Sequence, residues 1–326
     1  MITIGEAIAR VPQWRGMTAG SVVPLAGGIT NLNYRVEIAG TTFVLTIAGA
    51  GTDALGVDRP RAYEIARAAG DLGIGPEVVC FLPDDGIVIT KFIWGRRLVP
   101  GDAADPGTLA RIVRSFHRYH GGPAFPGAFS PFETLRAYLE AAQRPGAAPM
   151  SGAAPAGGAA PTLKKAQAPA RLPHDTATLY EHLAVIERAV QHDCAVARPC
   201  HNDLWQSNLI DDGHTIRIID WEYAGMGDVY FDLANFAVHN TFGDAEDETL
   251  LRTYFGTIPA AGVARLKLLK AVAELREAMW AVVGQHLPAT SASGFDAPAY
   301  AAAHFERCRR ALADPRFSGW VDGLTR

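Results

Sequence analysis

Pro199-Cys200-His201-Asn202-Asp203-Leu204-Trp205-Gln206-Ser207-Asn208-Leu209-Ile210, then Asp211-Asp212-Gly213-His214-Thr215, then Ile216-Arg217-Ile218-Ile219-Asp220-Trp221-Glu222, is the stretch that decides the fold. A polar loop carrying His201, Asp203 and Asn208 runs into a short apolar strand. An Asp-Asp-Gly turn follows, and a second apolar run ends at Asp220. Two strands joined by a tight turn bring their outer ends together, so this pattern predicts Asn208 beside Asp220. An amide oxygen next to a carboxylate is a hard oxygen pair suited to Mg²⁺. Asp203, five residues before Asn208, is left to accept a proton from a hydroxyl.

The spacing Asp-x-x-x-x-Asn, with a second Asp after an apolar run, is the layout that phosphoryl transfer requires: a base, and two oxygen ligands for metal. The ordinary reading is that Asn202-Asp203 caps a helix and Asp220 ends a strand. Either half alone fits that reading. Both halves joined by one hairpin favour the transfer site.

The chain of 326 residues is long enough for two lobes around two cores. Hydrophobic residues make up 48% and charged residues 20%, an ordinary globular balance. A net charge of -4 without a Lys/Arg block argues against a nucleic-acid partner. No apolar run is long enough to span a bilayer, and the start Met1-Ile2-Thr3-Ile4-Gly5-Glu6 lacks the signature of a signal peptide. Cys80, Cys194, Cys200 and Cys308 form no C-x-x-C pair and read as reduced, mostly buried thiols, so a cytoplasmic location is expected.

Outward from the hairpin, the N-terminal third reads as strands. Residues 5–14 look like a short amphipathic helix. Strands are expected at Ser21–Leu25, Tyr34–Ile38 and Thr42–Ile47, then a helix over 59–72, then strands Val78–Phe81 and Ile87–Phe92. That is a five-stranded antiparallel sheet with one helix, the size of a small nucleotide-binding lobe. Gly27-Gly28 with Thr30 and Asn31 can bring N–H and hydroxyl donors to phosphate, or can simply fill a turn. Ile93–Pro100 leaves the sheet as a hinge whose backbone can meet an adenine edge. No G-x-x-x-x-G-K-[ST] stretch is present, which excludes a P-loop enzyme.

From Leu109 onward the period is helical, with helices at 132–144, 176–192, 231–241, about 246–255, about 260–287 and 298–312. Pro145–Pro173 is an Ala/Pro/Gly-rich insertion inside this second lobe. Asp244-Ala245-Glu246-Asp247-Glu248 reads as a solvated helix start. Asp232 either braces the catalytic loop through backbone N–H groups or favours its helix N-terminus. Glu277 and Trp280, three apart, share a face. They are either an ammonium pocket or a core indole beside a solvated carboxylate.

Gly27-Gly28-Ile29-Thr30-Asn31-Leu32-Asn33-Tyr34, His201-Asn202-Asp203, Ile219-Asp220-Trp221-Glu222-Tyr223-Ala224-Gly225-Met226, Phe231-Asp232-Leu233-Ala234-Asn235 and Arg276-Glu277-Ala278-Met279-Trp280 together resemble the bacterial choline/ethanolamine kinases, within the aminoglycoside phosphotransferase-like superfamily. The resemblance runs from about Val11 to Leu312. It implies an α+β, two-lobed protein-kinase-like fold, divided at 1–93 and 94–326, that uses ATP and Mg²⁺ to phosphorylate an amino-alcohol hydroxyl. It implies Asp203 as base and Asn208 and Asp220 on the metals, with His201 and Asp232 in support. On the nucleotide side it implies Gly27, Gly28, Thr30, Asn31, Thr46, Lys91 and Ile93. On the substrate side it implies Glu222, Tyr223, Glu277 and Trp280. A small-molecule partner and a monomer or homodimer are expected.

Two positions depart from the family pattern. Thr46 stands where a basic residue holds the α/β-phosphates, and Ala62 where a helix Glu holds that residue. Glu64 is about 200° further round the helix, so it does not substitute. Arg35 and Arg59 are the candidates to reach the phosphates instead. The departures keep two alternatives open: a degenerate kinase fold that binds nucleotide or amine without transfer, and a kinase for another acceptor such as an aminoglycoside or thiamine.

Overall fold

The computed structural model describes residues 2–26, 28–143, 171–192, 195–285, 287 and 294–325. Most of the Pro145–Pro173 insertion, and with it any view of its role, lies outside the described residues, as do Gly27 and Cys194.

Helix α1 (Ile4–Arg10) opens the chain. It is shorter than the helix expected over 5–14. Pro12 has no N–H to continue the ladder, and residues Pro12–Trp14 tighten into one 3₁₀ turn. Strands β1 (Ala19–Leu25), β2 (Asn31–Ile38) and β3 (Thr41–Ala48) follow, then α2 (Arg59–Asp71), β4 (Val78–Leu82) and β5 (Ile87–Lys91). They form the expected five-stranded antiparallel sheet, in the order β1-β2-β3-β5-β4. Ala39 and Gly40, with φ of 49° and 77°, close the β2–β3 hairpin as a two-residue turn of the primed kind. Val36, Leu45, Ile47, Ile87 and Ile89 point to one face and pack with Ala7, Val11 and Trp14 in a small core.

Ile65 and Ala69 of α2 belong instead to the larger core of the helical lobe, so α2 is also packed against that lobe. The segment after the sheet adds strand β6 (Arg96–Arg97) to the catalytic hairpin, β8 (Leu209–Asp211) and β9 (Ile216–Ile218), once β7 (Arg198–Cys200) is counted in chain order. The hinge is therefore hydrogen-bonded directly to the hairpin.

The helical lobe holds α3 (Pro106–His120), α4 (Pro131–Gln143), α5 (Thr176–His192), α6 (Val229–His239), α7 (Asp244–Phe255) and α8 (Gly262–Gly284), followed by helices Ala297–Leu312 and Phe317–Thr325. The last of these was not anticipated. Helix α8 does not show one apolar stripe to the core: every residue from Ala271 to Gly284 is buried. A helix surrounded on all sides shows no single stripe, and its charged members must be paired. The acidic run does open α7, yet Asp247 is not solvated: it is fully buried, with Lys267 at 2.5 Å and Lys270 at 2.8 Å. Cys80, Cys200 and Cys308 are buried free thiols. Among the described residues no helix is long and apolar enough to cross a membrane.

Candidate active site

Strand β7 pairs with β10 (Gly225–Gly227), Cys200 facing Gly225, and this pins the start of the His201–Asn208 loop. The loop that follows is held from beneath by α6. Asp232 accepts the N–H groups of His201 at 2.8 Å and Asn202 at 2.5 Å. It also accepts the Tyr119 hydroxyl at 2.8 Å, and the His120 ring stands 3.1 Å away. Of the two roles open to Asp232, the brace is the one observed; Asp228 caps the helix. Burial pushes the Asp232 carboxyl up, but His120 and the loop N–H groups outweigh it and hold it below the usual range. One turn further along, Asn235 accepts the Leu204 N–H at 2.6 Å and donates to Glu277 at 3.3 Å.

His201 is fully buried, and burial lowers its pKa. Its Nδ1 accepts the Asp203 N–H at 3.2 Å, so the proton sits on Nε2, which donates to Ile219 O at 3.0 Å. The ring thereby ties the loop to the far end of the hairpin. Asn208 and Ile219 are joined by a backbone bond of 2.9 Å, so Asn208 and Asp220 come together at the hairpin mouth as expected. Asn208 Nδ2 donates to Asp203 O at 3.1 Å and lies 3.4 Å from Asp203 Oδ2, which leaves its amide oxygen outward. Asn202 and Asp220 adopt positive φ of 66° and 68°, a conformation that Asn and Asp tolerate better than most residues. The position of Asp220 deep between the lobes, with Glu222 and Asp203 nearby, raises its carboxyl well above the usual range, although the residue is open to the cleft. Surplus negative charge on oxygen donors is what a divalent cation relieves.

Two cavities meet at Asp220. The larger, about 310 Å³, lies between the sheet and the hairpin. Asn31, Thr46, Lys91 and Ile93 line it, and so do Ala62 and Arg59. Thr46 donates to Asn33 at 2.7 Å. Glu64 is exposed on the other side of α2. Lys91 turns its ammonium to Glu77 at 2.7 Å, at the surface. Of the two arginine candidates, Arg35 packs over the Phe92 ring at 6.0 Å, whereas Arg59 lies on the cavity floor. Arg59 is ion-paired to Glu222 and donates to Asn31 at 3.0 Å and Thr52 at 2.7 Å. Gly28 has to be glycine: a Cβ there would stand 2.4 Å from Asn31 O.

The smaller cavity, about 60 Å³, lies between Asp203 and α8. Tyr223, Glu277 and Trp280 line it as the sequence suggested, and Thr30, expected on the nucleotide side, is in its wall. Glu222 borders both cavities. Trp280 Nε1 donates to the Tyr223 hydroxyl at 3.0 Å, and the Trp280 ring lies 5.8 Å from Phe295 and 6.3 Å from Tyr300. Glu277 is buried, not solvated. It accepts Arg276 Nη1 at 2.6 Å and the Tyr300 hydroxyl at 2.9 Å. Burial pushes the Glu277 carboxyl up, but Arg276, with His239 and His304, outweighs it and holds it well below its usual range. Arg276, only 1% exposed, lies over the Tyr223 ring at 4.5 Å and reaches Asp203 Oδ1 at 3.5 Å.

Arg276, Asn235, His239, Phe295 and Tyr300 had no role assigned from sequence. One signal was there: Asp232, Asn235 and His239 form a polar stripe at i, i+3 and i+7 in an otherwise apolar helix.

Comparison with known proteins agrees with this geometry. The solved structure of a choline/ethanolamine kinase family protein from Mesorhizobium loti superposes with a TM-score of 0.75, at 27% identity, over 98% of this chain and 96% of that one. Protein LicA of Haemophilus influenzae is 25% identical over 230 residues, 70% of this chain and 61% of LicA. Probable choline kinase 1 of Arabidopsis thaliana is 25% identical over 254 residues, 71% of this chain and 65% of the relative. The chain thus spans less than two thirds of the length of these two relatives. The family described as "Phosphotransferase enzyme family" matches residues 21–269. The chain belongs to that phosphotransferase family and has its two-lobed kinase-like fold.

Proposed function

We propose that the protein is a Mg²⁺-ATP-dependent kinase that phosphorylates the hydroxyl of an amino alcohol, choline or ethanolamine first among them. The observation that carries this reading is the meeting of the two cavities at Asp220 and Glu222, with Asp203 and Asn208 in the wall of the smaller one, beside a carboxylate and aromatic rings on the acceptor side. The name carried by the Mesorhizobium loti relative supports the same acceptor class.

In this reading Asp203 accepts the hydroxyl proton, and the braced loop keeps its carboxylate aimed at the acceptor. Glu277 takes the positive charge of the amine, and Trp280, Tyr223 and Tyr300 surround it. Asn208 and Asp220 would hold magnesium through oxygen, which fits the hard donor set and the excess charge at Asp220. Magnesium, when bound, neutralises charge on the transferring phosphates. Asn31 and Arg59 line the triphosphate side, with Ile93 at the hinge. The small lobe is taken as 1–93 and the acceptor lobe as 94–326.

The test is ADP release with choline, with ethanolamine and without acceptor, beside Asp203→Ala. Acceptor-dependent release that falls by about 10²–10⁴ in the variant supports the reading. Silence with every hydroxylated amine sinks it. A second reading, binding without transfer, is favoured by Thr46 and Ala62, which leave the cleft without the usual lysine–glutamate pair. Tight ATP binding with no release for any acceptor would select it.

A further inference from the structure

His239 is a polar group in the acceptor cavity that the reading above leaves without a task. It ends α6, lines the smaller cavity, and its buried Nε2 has no hydrogen-bond partner. The nearest carboxylate, Glu277, is 3.7 Å from it, too far for a hydrogen bond. A buried polar atom without a partner costs free energy unless a ligand satisfies it. Ligand atoms of Asp203, His239 and Glu277 lie within 4.8 Å of one another. Groups this close together can be reached by a single small cation placed among them.

We propose that His239 is a specificity residue. It makes the acceptor cavity select amines that keep an N–H over quaternary ammonium compounds. The proposal rests on the amino-alcohol reading and narrows it. A primary ammonium among the three groups donates one N–H to Glu277 and one to the unpartnered Nε2 of His239. Its hydroxyl, two carbons away, stays within reach of Asp203. A trimethylammonium has no N–H to give, so His239 stays unpartnered when it binds. The rings of Trp280, Phe295 and Tyr300 do not choose between the two, because cation–π attraction serves both. Arg276 does not choose either: its charge is the same to each and is already set against Glu277.

The test is calorimetric binding of ethanolamine, N-methylethanolamine, N,N-dimethylethanolamine and choline to the full chain. It is run at pH 8 with Mg²⁺ and a non-hydrolysable ATP analogue. Choline is expected to bind about tenfold or more weakly than ethanolamine, because a site built to bond an N–H rejects the analogue that lacks it. His239→Leu should close that gap by weakening ethanolamine. His239→Gln, which keeps an acceptor at that place, should preserve most of it and guards against a folding artefact. Choline bound as tightly as ethanolamine by the unaltered protein, or a gap unchanged in His239→Leu, overturns the proposal while leaving the kinase reading intact. Binding of none of the four overturns both. The expected preference without any ADP release supports the specificity and removes only the transfer step.

Discussion

Arg59 on α2 and Glu222 just beyond the catalytic hairpin, 163 residues apart, are joined as an ion pair across the floor of the larger cavity. The same guanidinium holds Asn31 and Thr52. It thus ties the glycine turn, α2 and the hairpin end together at the place where phosphates would lie. Arg59→Ala is expected to raise the KM for ATP by about tenfold or more and to leave the KM for the amine within about twofold. Arg59→Lys should recover little, because one ammonium cannot hold three partners in the fork geometry of a guanidinium. Steady-state kinetics with each substrate varied in turn reads both; an unchanged KM for ATP would show that Arg59 is purely structural.

Thr46 and Ala62 face the same cavity from the sheet and the helix. Restoring the usual pair, Thr46→Arg with Ala62→Glu, is expected to improve ATP affinity by about tenfold, with much less from either change alone. A double-mutant cycle on ATP binding measures the coupling. Equal gains from the single variants would mean that the two positions do not speak to each other.

Trp280→Leu removes an indole from the acceptor cavity and a hydrogen bond to Tyr223. Loss of one cation–π partner in a desolvated pocket is worth about 2 kcal/mol, so the KM for the amine should rise roughly thirtyfold. The KM for ATP should not move. A KM for the amine within twofold of the unaltered protein would place the ammonium elsewhere.

The low carboxyl pKa of Asp232 makes a statement about acid stability. A carboxyl held below its unfolded value of about 3.9 contributes stability that is present above that pH and lost as pH falls through the folded value. Urea unfolding as a function of pH should show stability falling below about pH 4, with Asp232→Asn shallower by up to about 1.4 kcal/mol per pH unit. The same variant leaves one of the two loop N–H groups facing an amide, so turnover should drop even at neutral pH. Parallel curves for the two proteins would argue against the assignment.

The catalytic hairpin was legible because its logic is local. Alternation, a turn and polar residues at fixed offsets all fall within a couple of dozen residues, and the ends of a hairpin have nowhere to go but together. The five-stranded sheet was readable for the same reason. The Arg59–Glu222 pair was not, because nothing in either segment announces the other. Arg276 was hidden by a different cause. On α8 the apolar pattern gives no face, and only the packing of α6 and helix Ala297–Leu312 around it reveals that a guanidinium is fully enclosed beside Asp203. Pro12 shortened the first helix, a rule that could have been applied from sequence and outweighs the apolar spacing. The His239 and Asn235 assignments were within reach of the polar stripe on α6, had that helix been read by its polar face.

Asn235 spends its acceptor on the Leu204 N–H and its donor on Glu277. Aspartate would keep the first and lose the second, leucine would lose both, and glutamine is one carbon too long for the gap. Such a position should tolerate few replacements, whatever the acceptor. Changes of acceptor should accumulate instead around it, at positions 239, 277, 280 and 300, where a side chain can be exchanged without releasing the loop. Within a family that phosphorylates many compounds on one scaffold, residue 235 is the hinge-pin that lets taste change while the chemistry stays put.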